Sequence, residues 1–273
     1  MTARIFLSGP TTFYVSPSGL DTNTGLTALS PWLTFQHAIN TLVAIYDFAG
    51  YTATISGADT AGSPYAGFII SQSFTGGGNL QIEGNTTTPT NCVISEPTAN
   101  GAIISTNGVQ FSIRGFQIKA TVGNGIFAQL NSTIVINGKM DFGACGGDQI
   151  HSETHGQVYL SMGSAGYTIS GGGTAHYGVA LGGGIICSET TTPVTLSGTP
   201  VYSVAFVHAT QCGVLYTNAT SGYGPTFTGA ASAGTRRYYI SALGVVETET
   251  VSDPYFPGGT AGLTEQNGCY SFT

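Results

Sequence analysis

The stretch DFGACGGDQIHSETHG, Asp141 to Gly156, sets two aspartates, one glutamate and two histidines in a chain with only six basic and thirteen acidic side chains in all. Within it, QIHSETH has the parity of a strand. An inward Ile150 puts His151, Glu153 and His155 on one outward face and turns Ser152 and Thr154 inward. Two imidazoles flanking a carboxylate at alternate positions have the donor types to bind a metal, or to hold an acid and a base side by side. The same pattern describes a solvated strand face, so the elements that carry these residues must decide.

After Gly50 the chain alternates short β-branched runs with Gly, Asn, Ser and Thr, and no sustained helical stripe follows. Unit ends set at Ser132, Gly156, Gly184 and Gly213 give repeats that each open and close with a short apolar strand, and looser units start near Tyr51 and Asn79. A helix-free repeat of this length predicts a solenoid whose coils stack their strands in parallel. Val, Ile and Leu then form rows inside, while Thr, Ser and Asn face water. In that stack His151 is expected in a column with Phe127, Val179 and His208, and Asp148 in one with Asn124 and His176. Coils lie about 5 Å apart, so Asp148 and His176 are expected to pair directly. Such a pair is a start for acid/base chemistry and also a common way to satisfy a surface histidine.

Composition excludes several classes. A chain of 273 residues with 41 glycines, 7% charged and 41% apolar residues is neither disordered nor short of core. A net charge of −7 with so few cations leaves no stripe to neutralise phosphates, so nucleic acid is not an expected partner, and a polyanionic sugar is repelled. No apolar run has signal-peptide or bilayer length, so no membrane insertion is expected and the chain reads as made in a cytoplasm. Cys92, Cys145, Cys187, Cys212 and Cys269 form no CxxC and are odd in number; they read as buried thiols rather than as disulfides or a zinc site, and no metal or cofactor is expected.

One segment has a helical period. In SPWLTFQHAINTLVAIY the apolar residues Trp32, Phe35, Ile39 and Leu42 recur at three and four residues, with Ser30 as N-cap and Pro31 at the first helical position. A solenoid shows its aliphatic interior at its open end, and this helix is placed to cover the first coil.

The opening FYVSPSGLDTNTGLTALSPWLTFQHAIN, Phe13 to Asn40, resembles the start of the pectate-lyase-like right-handed parallel β-helix proteins, with its Tyr-Val strand, Asp-x-Asn-x-Gly loop and Pro-x-x-Thr-x-x-x-Ala helix. The ending, GTRRYYISALGVVETET followed by YFPGGTAGLTEQNGCY, is similar to the C-terminal segment of many phage and prophage β-helix proteins. The resemblance implies an all-β, right-handed, single-stranded parallel β-helix with an N-terminal capping helix and a short C-terminal β segment. Its expected divisions are an arm over 1–12, a strand and capping helix over 13–50, coils over 51–235, and a trimerising segment over 236–273. It further implies a virion component, a tail fibre or tailspike, that forms a homotrimer, meets other virion proteins and contacts a bacterial surface polysaccharide. A polysaccharide lyase or hydrolase of the same fold and a purely structural virion fibre are the alternatives, because the fold hosts all three.

Against catalysis stands the family's own chemistry. The polygalacturonase set of Asn-Thr-Asp, Asp-Asp, Gly-His-Gly and Arg-x-Lys is missing, leaving only THG and a widely spaced Arg114 and Lys119. Only Asp141, Asp148, Glu153 and Glu189 occupy the central coils as candidate calcium carboxylates. The candidate catalytic residues are therefore Asp148, His151, Glu153 and His176, and the candidate sugar-stacking residues are Phe127, Tyr159, Tyr177 and Tyr202.

Overall fold

The computed structural model describes residues 3–98, 100–187, 191–218, 224–249, 251 and 253–272. It is a parallel β-solenoid of about 8 turns. Three long sheets of ten, eight and six strands run along it, and every pairing is parallel. A representative coil visits the ten-stranded sheet at Gln110–Arg114, the six-stranded sheet at Gln117–Ala120 and the eight-stranded sheet at Asn124–Ala128. It then returns to the first at Thr133–Ile136.

Alternation within each short strand makes the interior. Phe111, Ile134, Val158, Ile185, Leu215 and Val246 stand in register on successive strands of the ten-stranded sheet, all buried. Ile94, Ile118, Phe142, Ile169 and Leu196 form the matching row of the six-stranded sheet. Burying each such side chain contributes about 1.5–3 kcal/mol, and stacking like on like from coil to coil leaves few steps in the packing.

The corner between the eight- and ten-stranded sheets explains the repeat's punctuation. There two successive residues take left-handed backbone: Leu130 and Asn131, Thr154 and His155, Leu181 and Gly182, Gln211 and Cys212, Ala242 and Leu243. The residue after each pair runs against the coil before it. A Cβ at Gly156 would lie 2.3 Å from the Ala128 carbonyl oxygen, one at Gly183 would lie 2.4 Å from that of Ser152, and Gly213 and Gly244 are as tight. The coil therefore ends at Gly183, one residue before the expected Gly184.

The cap starts later than expected. The helix spans Phe35–Ile45 with Thr34 as N-cap, its hydroxyl accepting from the His37 N–H, whereas Ser30 and Pro31 lie outside it. Phe35, Ala38, Ile39 and Leu42 are its buried face. The Asp-x-Asn-x-Gly loop builds the entry. Asp21 accepts from the Leu33 and Thr34 N–H groups and the Thr34 hydroxyl, and the Asn23 amide donates to the Pro31 carbonyl. Gly25, at φ +67°, lies on the indole of Trp32, where a Cβ would be 2.4 Å from the ring. Trp32 stacks on Phe13 and donates its indole N–H to the Asn23 carbonyl. Arg4 ties the arm to the end of the helix through the Val43 and Tyr46 carbonyls. Beyond Arg236, Tyr238–Ile240 and Val245–Glu247 join the same long sheets, as do Leu263–Thr264 and Cys269–Ser271.

Candidate functional site on the eight-stranded sheet

The strand Ile150–Ser152 has the expected parity over its three residues: Ile150 and Ser152 are buried and His151 faces out. The strand then stops. Thr154 and His155 belong to the left-handed corner, so His155 leaves the face of His151 and stands exposed beside Gly182.

His151 is clamped on both nitrogens. Nδ1 meets Asp148 Oδ2 at 2.6 Å, Nε2 meets Glu153 Oε2 at 3.4 Å, and the ring packs edge-on against Phe127. Asp148 is itself buried, and its backbone N–H donates to Asn124 Oδ1. Its carboxylate lies over Gly178 of the next coil, where a Cβ would come within 1.8 Å of Oδ2. The bare glycine leaves the room that the Asp148–His151 pair occupies.

Burial pulls the His151 pKa down, but the hydrogen bonds and charges of Asp148 and Glu153 outweigh it and lift the group to about 9. The same contact lowers Glu153. His208, two coils away on the same outward row, is pushed down by burial, against the pull of Asp148. At neutral pH the face thus holds an imidazolium between two carboxylates, with a neutral imidazole beyond. Asp148 Oδ1 has no hydrogen-bond partner and no contact with solvent, an uncommon state for a buried carboxylate oxygen.

The outward row extends along the whole sheet. Ile69, Ile104, Phe127, His151, Gly178, His208, Tyr239 and Leu263 are successive register partners. His208 and Tyr239 have ring centroids 5.6 Å apart. Apart from His151, Gly178 and His208, the row is aliphatic or aromatic, on the side of the sheet that faces away from the core.

Four of the expected site residues, His176, Tyr177, Tyr202 and Tyr159, lie elsewhere. His176 is fully buried; it aligns with Gln149 rather than Asp148, and Val179 gives its expected place in the row to Gly178. Gln149 spends its amide N–H groups on the Phe142, Gly143 and Gly171 carbonyls, so its Oε1 accepts from His176 Nδ1 at 2.7 Å and from the Tyr202 hydroxyl at 2.9 Å. His176 Nε2 then accepts from the Tyr167 hydroxyl, whose oxygen takes the Tyr177 hydroxyl proton. Tyr177 and Tyr202 are core residues of this satisfied network and present no face to a sugar. Burial drives His176 down to about 3, so it is neutral and holds no acid/base role at the surface. Phe127 is on the outer row but only 8% exposed, and Tyr159 stands on the outer face of a different sheet, the ten-stranded one.

One cluster escaped the sequence reading. Asp141, outward on the six-stranded sheet yet buried, accepts from Gln117 Nε2 at 3.0 Å and from the Ser170 hydroxyl. Its signal was a polar row, with Gln117, Asp141 and Thr168 in register. Cys92, Cys145 and Cys187 are buried as expected, with burial raising each thiol to about 12, but Cys212 and Cys269 are exposed. No group of three or more His, Cys, Asp or Glu side chains is placed to hold a metal ion among the described residues, no described helix is long and apolar enough to cross a membrane, and Glu189 lies outside the described residues. Comparison of the chain with protein-family models, curated proteins and solved structures found no match.

Proposed function

We propose that this chain is a phage or prophage virion component of the tail-fibre or tailspike type, built on a pectate-lyase-like β-helix, that binds a bacterial surface glycan without cleaving it. The observation that carries the reading is the outward row on the eight-stranded sheet, where Phe127 and His151 stand on neighbouring coils, Gly178 follows, and His208 and Tyr239 stand on the next two, so that two pairs of rings flank one bare position on the outside of the solenoid. Coils repeat at about 4.8 Å, close to the rise of one residue in an extended glycan chain, so a linear polysaccharide lying along the axis meets one row position per sugar. Rings supply apolar faces for sugar C–H groups at low entropic cost.

Binding is favoured over turnover because His151 has no free nitrogen. An imidazolium with both N–H groups held by carboxylates, and a pKa of about 9, is a poor proton shuttle at neutral pH. In this reading the protein acts as a homotrimer on the particle, in contact with other virion proteins.

The test is adsorption to a panel of bacterial cells and to their extracted surface polysaccharides, with release of reducing ends and unsaturated products followed in parallel. Retention without release is expected. Release that vanishes in each of His151→Ala, Glu153→Gln and Asp148→Asn would make the cluster an active site, and failure to retain any polysaccharide would remove the glycan.

A further inference from the structure

We propose that the outer face of the ten-stranded sheet carries a second, distinct glycan groove, running from Tyr159 to Tyr216 and selective for uncharged sugars. The proposal rests on the glycan-binding reading for its ligand class, but its residues and sheet are different.

Val135, Tyr159, Ile186 and Tyr216 are successive register partners on that face, each half-buried. The two tyrosines are two coils apart, about 10 Å, which matches the length of an extended disaccharide unit, so both rings meet equivalent sugars of a repeating chain. Each ring is fixed by its hydroxyl. Tyr159 donates to Gln157 Oε1 at 2.6 Å, a residue on the same face of the same strand, and Tyr216 donates to Glu249 Oε1. Tyr159 is thereby laid along its strand, and little rotamer freedom is left to lose on binding.

Ile186 floors the space between the rings, and beside it the next outward row is open. Gly184 occupies the outward position between Gln157 and Val214, and a Cβ there would meet nothing nearer than the Val214 carbonyl oxygen at 3.8 Å. Its φ is not positive, so neither a close approach nor the backbone requires a glycine there. At the Tyr159 end a groove of about 350 Å³ is lined by Gln110, Thr133, Val135, Tyr159 and Ser161. An apolar floor with an amide and hydroxyls at its rim is the chemistry that recognises a pyranose. The lining contains no cation, and Glu247 and Glu249 stand at the Tyr216 end, so a uronate or sialate chain is repelled while a neutral or N-acylated hexose chain is accepted.

The probes are the β-1,4-linked tetramers of N-acetylglucosamine and of glucose, with the tetramer of galacturonate as the anionic control. Binding is read by NMR shift changes at millimolar sugar, on wild type, Tyr159→Ala, Tyr216→Ala and Gly184→Gln. Gly184→Gln fills the notch without straining the strand, and its melting temperature and circular dichroism should match wild type. Wild type is expected to bind at least one neutral tetramer and not the galacturonate. Each variant is expected to weaken that binding by about tenfold or more. Wild-type binding to galacturonate, or neutral binding unchanged in Tyr159→Ala and Gly184→Gln, would overturn the groove. If those variants also keep wild-type retention of surface polysaccharide, the groove falls and the glycan-binding function stands. If wild type retains neither tetramer nor polysaccharide, both fall.

Discussion

Gly178→Ala adds one methyl group to the strand Tyr177–Val179, and the structure says where it goes. The new carbon would sit 1.8 Å from Asp148 Oδ2 and 2.7 Å from His151 Nδ1. The glycine's φ is not in the left-handed region, so alanine brings no backbone strain of its own, and the whole effect falls on the Asp148–His151 pair. Asp148 must leave. His151 then keeps only the longer contact to Glu153, and burial, which opposes its charge, is no longer outweighed.

The magnitude follows from the pKa. A group held at about 9 instead of 6.5 is stabilised in its charged form by about 3 kcal/mol. Because the folded value is raised, this contribution is fully present below pH 6.5 and is lost as pH rises through 9. Gly178→Ala should therefore be destabilised most near pH 6, by up to about 3 kcal/mol plus any residual crowding. The gap to wild type should shrink by that amount above pH 9. The assay is denaturant unfolding at pH 6, 7.5 and 9.5, beside an NMR titration of the His151 ring. Asp148→Asn is the companion that removes the charge without adding volume, and it should move the His151 titration the same way. A Gly178→Ala ring that still titrates near 9, or a stability deficit independent of pH, would refute the reasoning.

Trp32→Asp should cost about 3–5 kcal/mol, because it empties the stack on Phe13 and leaves a carboxylate beneath Gly25; wild-type melting and solubility would show that the cap does not seal the first coil. His176 is depressed to about 3, so its contribution is complete above pH 6.5 and is lost as pH falls towards 3, by up to about 5 kcal/mol. His176→Phe should flatten that acid limb relative to wild type, and parallel pH profiles would refute it. The homotrimer predicts three times the 27.9 kDa chain mass in light scattering, reduced to one chain when 236–273 are removed; a monomer of the full chain at micromolar concentration would remove that part of the proposal.

Much of the fold was legible because its constraints are local and repeated. The aliphatic rows at Ile134, Val158 and Ile185, and the small residues Ser132, Gly156, Gly183 and Gly213 that follow the left-handed corners, recur along the central coils and show in the sequence as a period. The cap was legible in its apolar spacing but not in its start. Ser30-Pro31 has the composition of a helix entry, yet Asp21, distant in sequence, takes the Leu33 and Thr34 N–H groups and fixes the first turn at Thr34. A tertiary hydrogen bond decided between two local signals of similar strength.

The site was less legible because it depends on register, and in a stacked coil a slip of one residue sends every side chain to the other face. The slip came from Gly182-Gly183-Gly184, three residues of one type, of which only Gly183 makes the close approach to the Ser152 carbonyl that ends a coil. Choosing Gly184 moved His176 to the surface beside Asp148 and hid Gly178, the residue that makes room for the Asp148–His151 pair. The sequence did hold the means to choose. Counted back from Gly156, Gly183 and Gly213, the sixth residues are Ile150, Tyr177 and Val207, an apolar row without a gap. Counted from Gly184 the row would read Ile150, Gly178, Val207, with a hole in the core that close packing does not tolerate. The seventh residues, Gln149, His176 and Phe206, are also buried, although strand alternation would turn them out. At that point the chain is still rounding the corner into the strand, so two successive residues face inward, and an inward Gln149 requires the inward His176 and Tyr202 that satisfy it.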